Sequence, residues 1–147
     1  MEEFDINWIA LVVAAIVPLV TGFIWYNPKV FGTAWMKESG MTEEKAKTMN
    51  PGKTYGLAVV FAFLAGFFLW GQVMYGGGPG MPHGPEGEFM TFKHGAFHGA
   101  LVALAVVLPV FATNALFEMK SAKYVLINVG YWVVTFALMA GILNAWV

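Results

Sequence analysis

The sequence predicts an all-α integral membrane bundle of four transmembrane helices, and three features predict it. Hydrophobic residues make up 59% of the 147-residue chain and charged residues only 12%, against about 25% charged in a soluble domain. Four apolar stretches, Ile6–Tyr26, Tyr55–Tyr75, Gly95–Phe117 and Val125–Val147, contain no Asp, Glu, Lys or Arg. Each is long enough to cross ~30 Å of hydrocarbon as a helix, and runs that do not alternate in polarity cannot be barrel strands. The whole chain, 1–147, reads as a single transmembrane domain.

The first stretch follows an acidic start, Met1-Glu2-Glu3-Phe4-Asp5. A secretory signal would be basic there, so we expect a retained helix. The loop after it, 27–54, turns at Asn27-Pro28 and then places Phe31 and Trp35 on one helical face. That pattern predicts a short interfacial helix with its aromatics toward the membrane. Thr42, followed by Glu43 and Glu44, reads as the N-cap of a second short helix, and Asn50-Pro51-Gly52 as its stop. The second loop, 76–93, is rich in Gly and Pro, with no regular structure expected; the third, 118–124, is a tight connection.

Lysines orient the bundle. Lys29, Lys37, Lys45, Lys47, Lys53, Lys120 and Lys123 fall in the first and third loops, whereas Lys93 stands alone on the other side with Glu2, Glu3, Asp5, Glu86 and Glu88. Short lysine-rich loops stay cytoplasmic, so both termini are expected on the non-cytoplasmic side of a cytoplasmic (inner) membrane. Trp8, Trp70, Tyr75 and Trp146 would then mark one interface, and Trp25, Tyr26, Tyr55 and Tyr124 the other. Tyr131 and Trp132 lie too deep for a belt, so one of them is expected inside the bundle.

Small residues recur every fourth position in parts of each span: Ala10/Ala14/Gly22, Ala58/Ala62/Gly66, Gly95/Gly99/Ala103 and Ala137/Gly141/Ala145. Such stripes let helix backbones approach closely. Val102, off the stripe, reads as facing lipid. A duplicated helical hairpin would account for Ala10-Leu11-Val12 before Pro18 and Ala100-Leu101-Val102 before Pro109. Each proline lacks a backbone donor and strands the carbonyl four residues earlier, at Ala14 and Ala105, so a kink is expected at both.

The sequence excludes several functions. There is no cysteine and no arginine, and the net charge is −1; thiolate chemistry is absent and nucleic acid is not an expected partner. No charged or histidine side chain lies in the middle of a span, which counts against a proton-driven pump. Asn114, Asn128 and Thr135 are the polar groups deepest in the spans, and a bond across helices is the expected role of Asn128. Serine occurs only at Ser39 and Ser121, in no nucleophile motif. The one chemical cluster is His94 and His98, four apart on one helical face, with His83 or Glu86 as a third ligand for a divalent metal. No other cofactor is expected.

The stretch Asn7-Trp8, Pro18, Gly22, Trp25-Tyr26, Pro28-Lys29-Val30-Phe31-Gly32 and Trp35-Met36-Lys37, with Gly130-Tyr131-Trp132 and Met139-Ala140-Gly141-Ile142-Leu143 near the end, resembles small bacterial membrane proteins catalogued as domain of unknown function 1761. The resemblance implies a four-helix bacterial membrane protein and brings no activity or site residues with it; the histidine segment lies outside the resembling motifs. The functional expectation is a non-enzymatic protein working in the lipid bilayer. It would serve as a permeation unit formed by a homo-oligomer or as an accessory subunit of a membrane complex. A metal-binding protein and a membrane enzyme are the alternatives.

Overall fold

The structure, a computed structural model, describes residues 6–75 and 89–146. Among the described residues seven α-helices follow in order: α1 (Trp8–Trp25), α2 (Gly32–Ser39), α3 (Glu43–Lys47), α4 (Pro51–Tyr75), α5 (Phe92–Val102), α6 (Leu108–Phe117) and α7 (Ala122–Ala145). A π-helical turn, Ala103–Val107, joins α5 and α6 into one continuous third span. Among the described residues four helices are long and apolar enough to cross a membrane: α1, α4, the α5–α6 span and α7.

Capping sets the helix ends. Asn7, Thr42, Thr91 and Ser121 each accept a bond from a backbone N–H three residues on, satisfying a donor that the helix itself leaves open. Asn50 does the same for Lys53 at 3.1 Å, so Asn50-Pro51 both ends the α3 segment and begins α4. The second span thus starts at Pro51, four residues earlier than apolarity alone suggested, because proline at the first helical position needs no N–H partner.

The core is built on α7, the most enclosed span. Leu11, Ala14, Leu69, Met139 and Leu143 are fully buried together. The closest helix contact is α5 on α7. A Cβ added at Gly99 would run into the carbonyl oxygen of Phe136, and one at Gly95 into that of Ala140. Gly141 faces the ring of Phe92, at 2.6 Å from any added Cβ.

The stripe expected on α7 needs correction. Ala145 is exposed and Ala137 only half-buried; the groups that meet the α5 glycines are Phe136, Ala140 and Asn144. Val102 is also not lipid-facing: it is half-buried and packs on the core, because the helical face that carries Gly99 and Ala103 turns it inward.

The two prolines are accommodated differently. Pro18 stays within a regular helix, and the Thr21 hydroxyl donates back to the Val17 carbonyl at 3.0 Å. Before Pro109 the turn widens, and the Leu108 N–H donates to Ala103 five residues back. Widening a turn relieves the clash of a proline ring with the carbonyl four residues earlier.

Candidate functional site

Near its end α1 runs into a turn that sequence chemistry fixes tightly. The Asn27 side chain accepts from the Lys29 N–H at 2.9 Å, and the Asn27 carbonyl accepts from Val30 and Gly32, both at 2.9 Å. Gly32 starts α2 directly against the Tyr26 carbonyl oxygen, leaving no room for a Cβ. This turn folds α2 back so that Phe31 packs on Trp25 (ring centroids 4.5 Å apart) and Trp35 on Tyr26 (5.4 Å). The aromatics of the short helix therefore dock on the end of α1, where membrane immersion was expected, because α1 supplies its own aromatic partners.

Cross-helix bonds hold the same region. Trp25 donates its indole N–H to the Ile127 carbonyl at 3.0 Å and its ring lies 3.0 Å from where a Gly130 Cβ would stand. The Tyr26 hydroxyl donates to the Asn128 side chain at 2.8 Å, which gives Asn128 the inter-helix role expected of it. The Tyr131 hydroxyl donates to the Pro18 carbonyl at 2.7 Å, and the Thr21 and Thr135 hydroxyls share a bond of 2.8 Å. Tyr131, not Trp132, is the more deeply buried of that pair. At the end of α2, Ser121 donates to the Glu38 carboxylate and the Lys120 ammonium to the Ser39 carbonyl.

While α1 and α7 are bound together here, α4 leaves them. Gly66 on α4 sits beside Leu11 and Met139, but residues 51–57 are all exposed. Between the diverging α1 and α4 lies a groove with a volume of about 800 Å³, within the usual ~300–1,000 Å³ of a ligand pocket. Tyr131 and Gly22 form its floor; Pro18, Leu19 and Phe23 line the α1 wall and Thr54, Tyr55 and Ala58 the α4 wall. Tyr26, Asn27, Pro28 and Trp35 close its lysine-rich end. Phe23 is 79% and Tyr55 53% exposed on the rims, so the groove opens sideways, toward lipid.

A family model described as "Protein of unknown function (DUF1761)" matches residues 9–144. The chain belongs to the DUF1761 family. Nothing among curated proteins or solved structures matches it. Of the residues by which the sequence resembles DUF1761 proteins, Pro18, Gly22, Tyr26, Pro28, Trp35 and Tyr131 all line the groove. Gly32 and Gly130 shape its surroundings by admitting the Tyr26 backbone and the Trp25 ring.

The candidate metal ligands lie elsewhere in this DUF1761 protein. His94 and His98 are neighbours, with ring centroids 4.5 Å apart, and Phe89 packs beside His94. His83 and Glu86 fall outside the described residues, among which no group of three or more His, Asp or Glu converges. Sequence reasoning missed Asn144, which is buried and donates to the Phe89 and Thr91 carbonyls at 2.7 and 2.8 Å, tying the start of α5 to α7. It also missed the groove. The available signal was the density of aromatic, Gly and Pro residues from Gly22 to Trp35.

Proposed function

We propose that this DUF1761 protein acts by binding, holding an amphipathic, membrane-borne molecule in the α1–α4 groove as an accessory component of a larger membrane assembly. The observation that carries this is the groove itself: aromatic and apolar walls, the Thr54 and Tyr55 hydroxyls at one end, and a long side open to lipid. Ligand sites commonly combine such walls with a few polar groups. The groove lining carries no carboxylate, imidazole or serine, which favours binding over catalysis. Thr21, Thr135 and Asn128, the groups best placed to line a path through the bundle, already bond within it, which weighs against permeation through a single copy. On the lysine distribution, the groove opens at the cytoplasmic leaflet.

The test is mass measurement of the intact protein released gently from detergent. Wild type is expected to retain one amphipath per chain. Ala58→Phe and Gly22→Leu, which fill the groove from its α4 wall and from its floor, are expected to lose it while melting near wild type. A wild-type particle that carries nothing removes this reading.

Self-association has support of a different kind. Thr113 and Asn114 are exposed on α6, and among the described residues no side-chain hydrogen bond engages either. An amide is both donor and acceptor, and such groups bridge helices in membranes. In this cysteine-free chain, Asn114→Cys is expected to cross-link to a second copy on oxidation and Leu126→Cys, also exposed, is not. Equal cross-linking at both positions, or none at Asn114→Cys, rejects this interface.

A further inference from the structure

Resting on that binding reading, we propose that the groove's occupant is an anionic membrane lipid, with one acyl chain along α1 and its headgroup held between Lys29 and Lys53.

Length is the first argument. From Pro18 to the C-cap Tyr26 the groove follows α1 for about 12 Å at 1.5 Å per residue, most of the half-thickness of a ~30 Å hydrocarbon core. Its length along the helix therefore fits within one leaflet. A water-soluble ligand would have no use for walls that face lipid along that whole distance, whereas an acyl chain slides in from the side without leaving hydrocarbon.

Charge is the second. Lys29 follows Pro28 and Lys53 precedes Thr54, two lining residues on opposite walls at the same end of the groove. Both lysines are exposed, and among the described residues no ion pair engages either ammonium. The acidic groups of that end are Glu38, Glu43, Glu44 and Glu118; the Glu38 carboxylate is engaged by the Ser121 hydroxyl. Glu43 and Glu44 belong to the first turn of α3, and Glu118 ends α6. Neither these four nor the two lysines line the groove, but Lys29 and Lys53 are the immediate neighbours in sequence of its lining residues Pro28 and Thr54 and so flank its mouth from both walls. Basic pockets between membrane helices hold anionic headgroups.

Polarity at the mouth is the third. Thr54 and Tyr55 on the α4 wall directly follow Lys53 and bring two hydroxyls to the groove lining there. Neither hydroxyl is engaged by a side-chain hydrogen bond among the described residues.

The experiment uses the full-length protein purified in detergent and offered equal amounts of phosphatidylglycerol and phosphatidylcholine with identical chains. The lipids retained are then weighed on the intact protein. Wild type is expected to retain phosphatidylglycerol over phosphatidylcholine by roughly tenfold, the size of effect that one or two lysines near a charged surface give. Lys29→Gln/Lys53→Gln is expected to keep a lipid but to lose the preference, and Lys45→Gln/Lys47→Gln, with the same change in net charge, to keep both. If the Lys29/Lys53 variant prefers phosphatidylglycerol as strongly as wild type, or if wild type has no preference, the anionic assignment is overturned and the groove reading stands. If wild type retains no lipid at all, both fall.

Discussion

The Tyr131 hydroxyl donates to the carbonyl oxygen of Pro18 at 2.7 Å, joining α7 to α1 at the floor of the groove. Gly22 lies under the same ring, where an added Cβ would stand 3.6 Å from the hydroxyl. Tyr131→Phe keeps the ring and removes only the bond. Bonds of this kind in membrane proteins contribute roughly 0.5–2 kcal/mol, so a small loss of unfolding free energy in mixed detergent is expected, with the groove still formed. A loss as large as that of a core deletion would mean that the hydroxyl organises far more than one contact.

Glycine spacing supplies a paired prediction. Gly99 is pressed against the Phe136 backbone, whereas a Cβ at Gly71 would meet nothing within 4 Å. Gly99→Leu is expected to destabilise the fold by roughly 1–3 kcal/mol or more, as overpacking does, and Gly141→Leu likewise against Phe92. Gly71→Ala should be neutral or slightly stabilising, since alanine is the better helix former. Equal melting of the Gly99 and Gly71 variants would show that α5 and α7 do not meet as described.

These contacts mark the limits of sequence reading. The four spans were legible because hydropathy and length act residue by residue. Gly95 and Gly99 were legible as contact residues because spacing fixes the face. Their partners were not: Phe136, Ala140 and Asn144 follow from the relative rotation of two helices, which spacing on one helix leaves free. The same freedom misplaced Val102. The groove depends on how the exposed start of α4, before the buried Ala62, lies against α1, a tertiary relationship with no local signature. Pro109 announced a disturbance, but not that a π turn would absorb it.

Orientation can be tested with single cysteines, since the chain has none of its own. Lys45, on α3, and Met90, just before α5, are both exposed and lie at opposite ends of the bundle. Only Met90→Cys is expected to react with an impermeant thiol reagent added to intact cells. The reverse result would place the lysine-rich end outside and move the groove to the other leaflet.

The His94–His98 pair makes a separate prediction. A divalent metal held by these two imidazoles would need both in the neutral form. On the metal alternative, calorimetry with Zn²⁺ at pH 7.5 shows binding that weakens at pH 5.5 and disappears in His94→Ala/His98→Ala. Equal heats from wild type and the double variant would remove the metal reading without touching the groove.

The most direct test of the central claim is photo-cross-linking with a phospholipid carrying a diazirine in its acyl chain, followed by peptide mapping. Adducts are expected to concentrate on the groove, at Phe23, Tyr55 and Ala58 above all, and to fall away there in a Gly22→Leu variant. Adducts spread evenly over exposed apolar positions such as Phe97, Leu116 and Leu126, with no change in the variant, would contradict a bound lipid and leave only the general contact of a bundle with its bilayer.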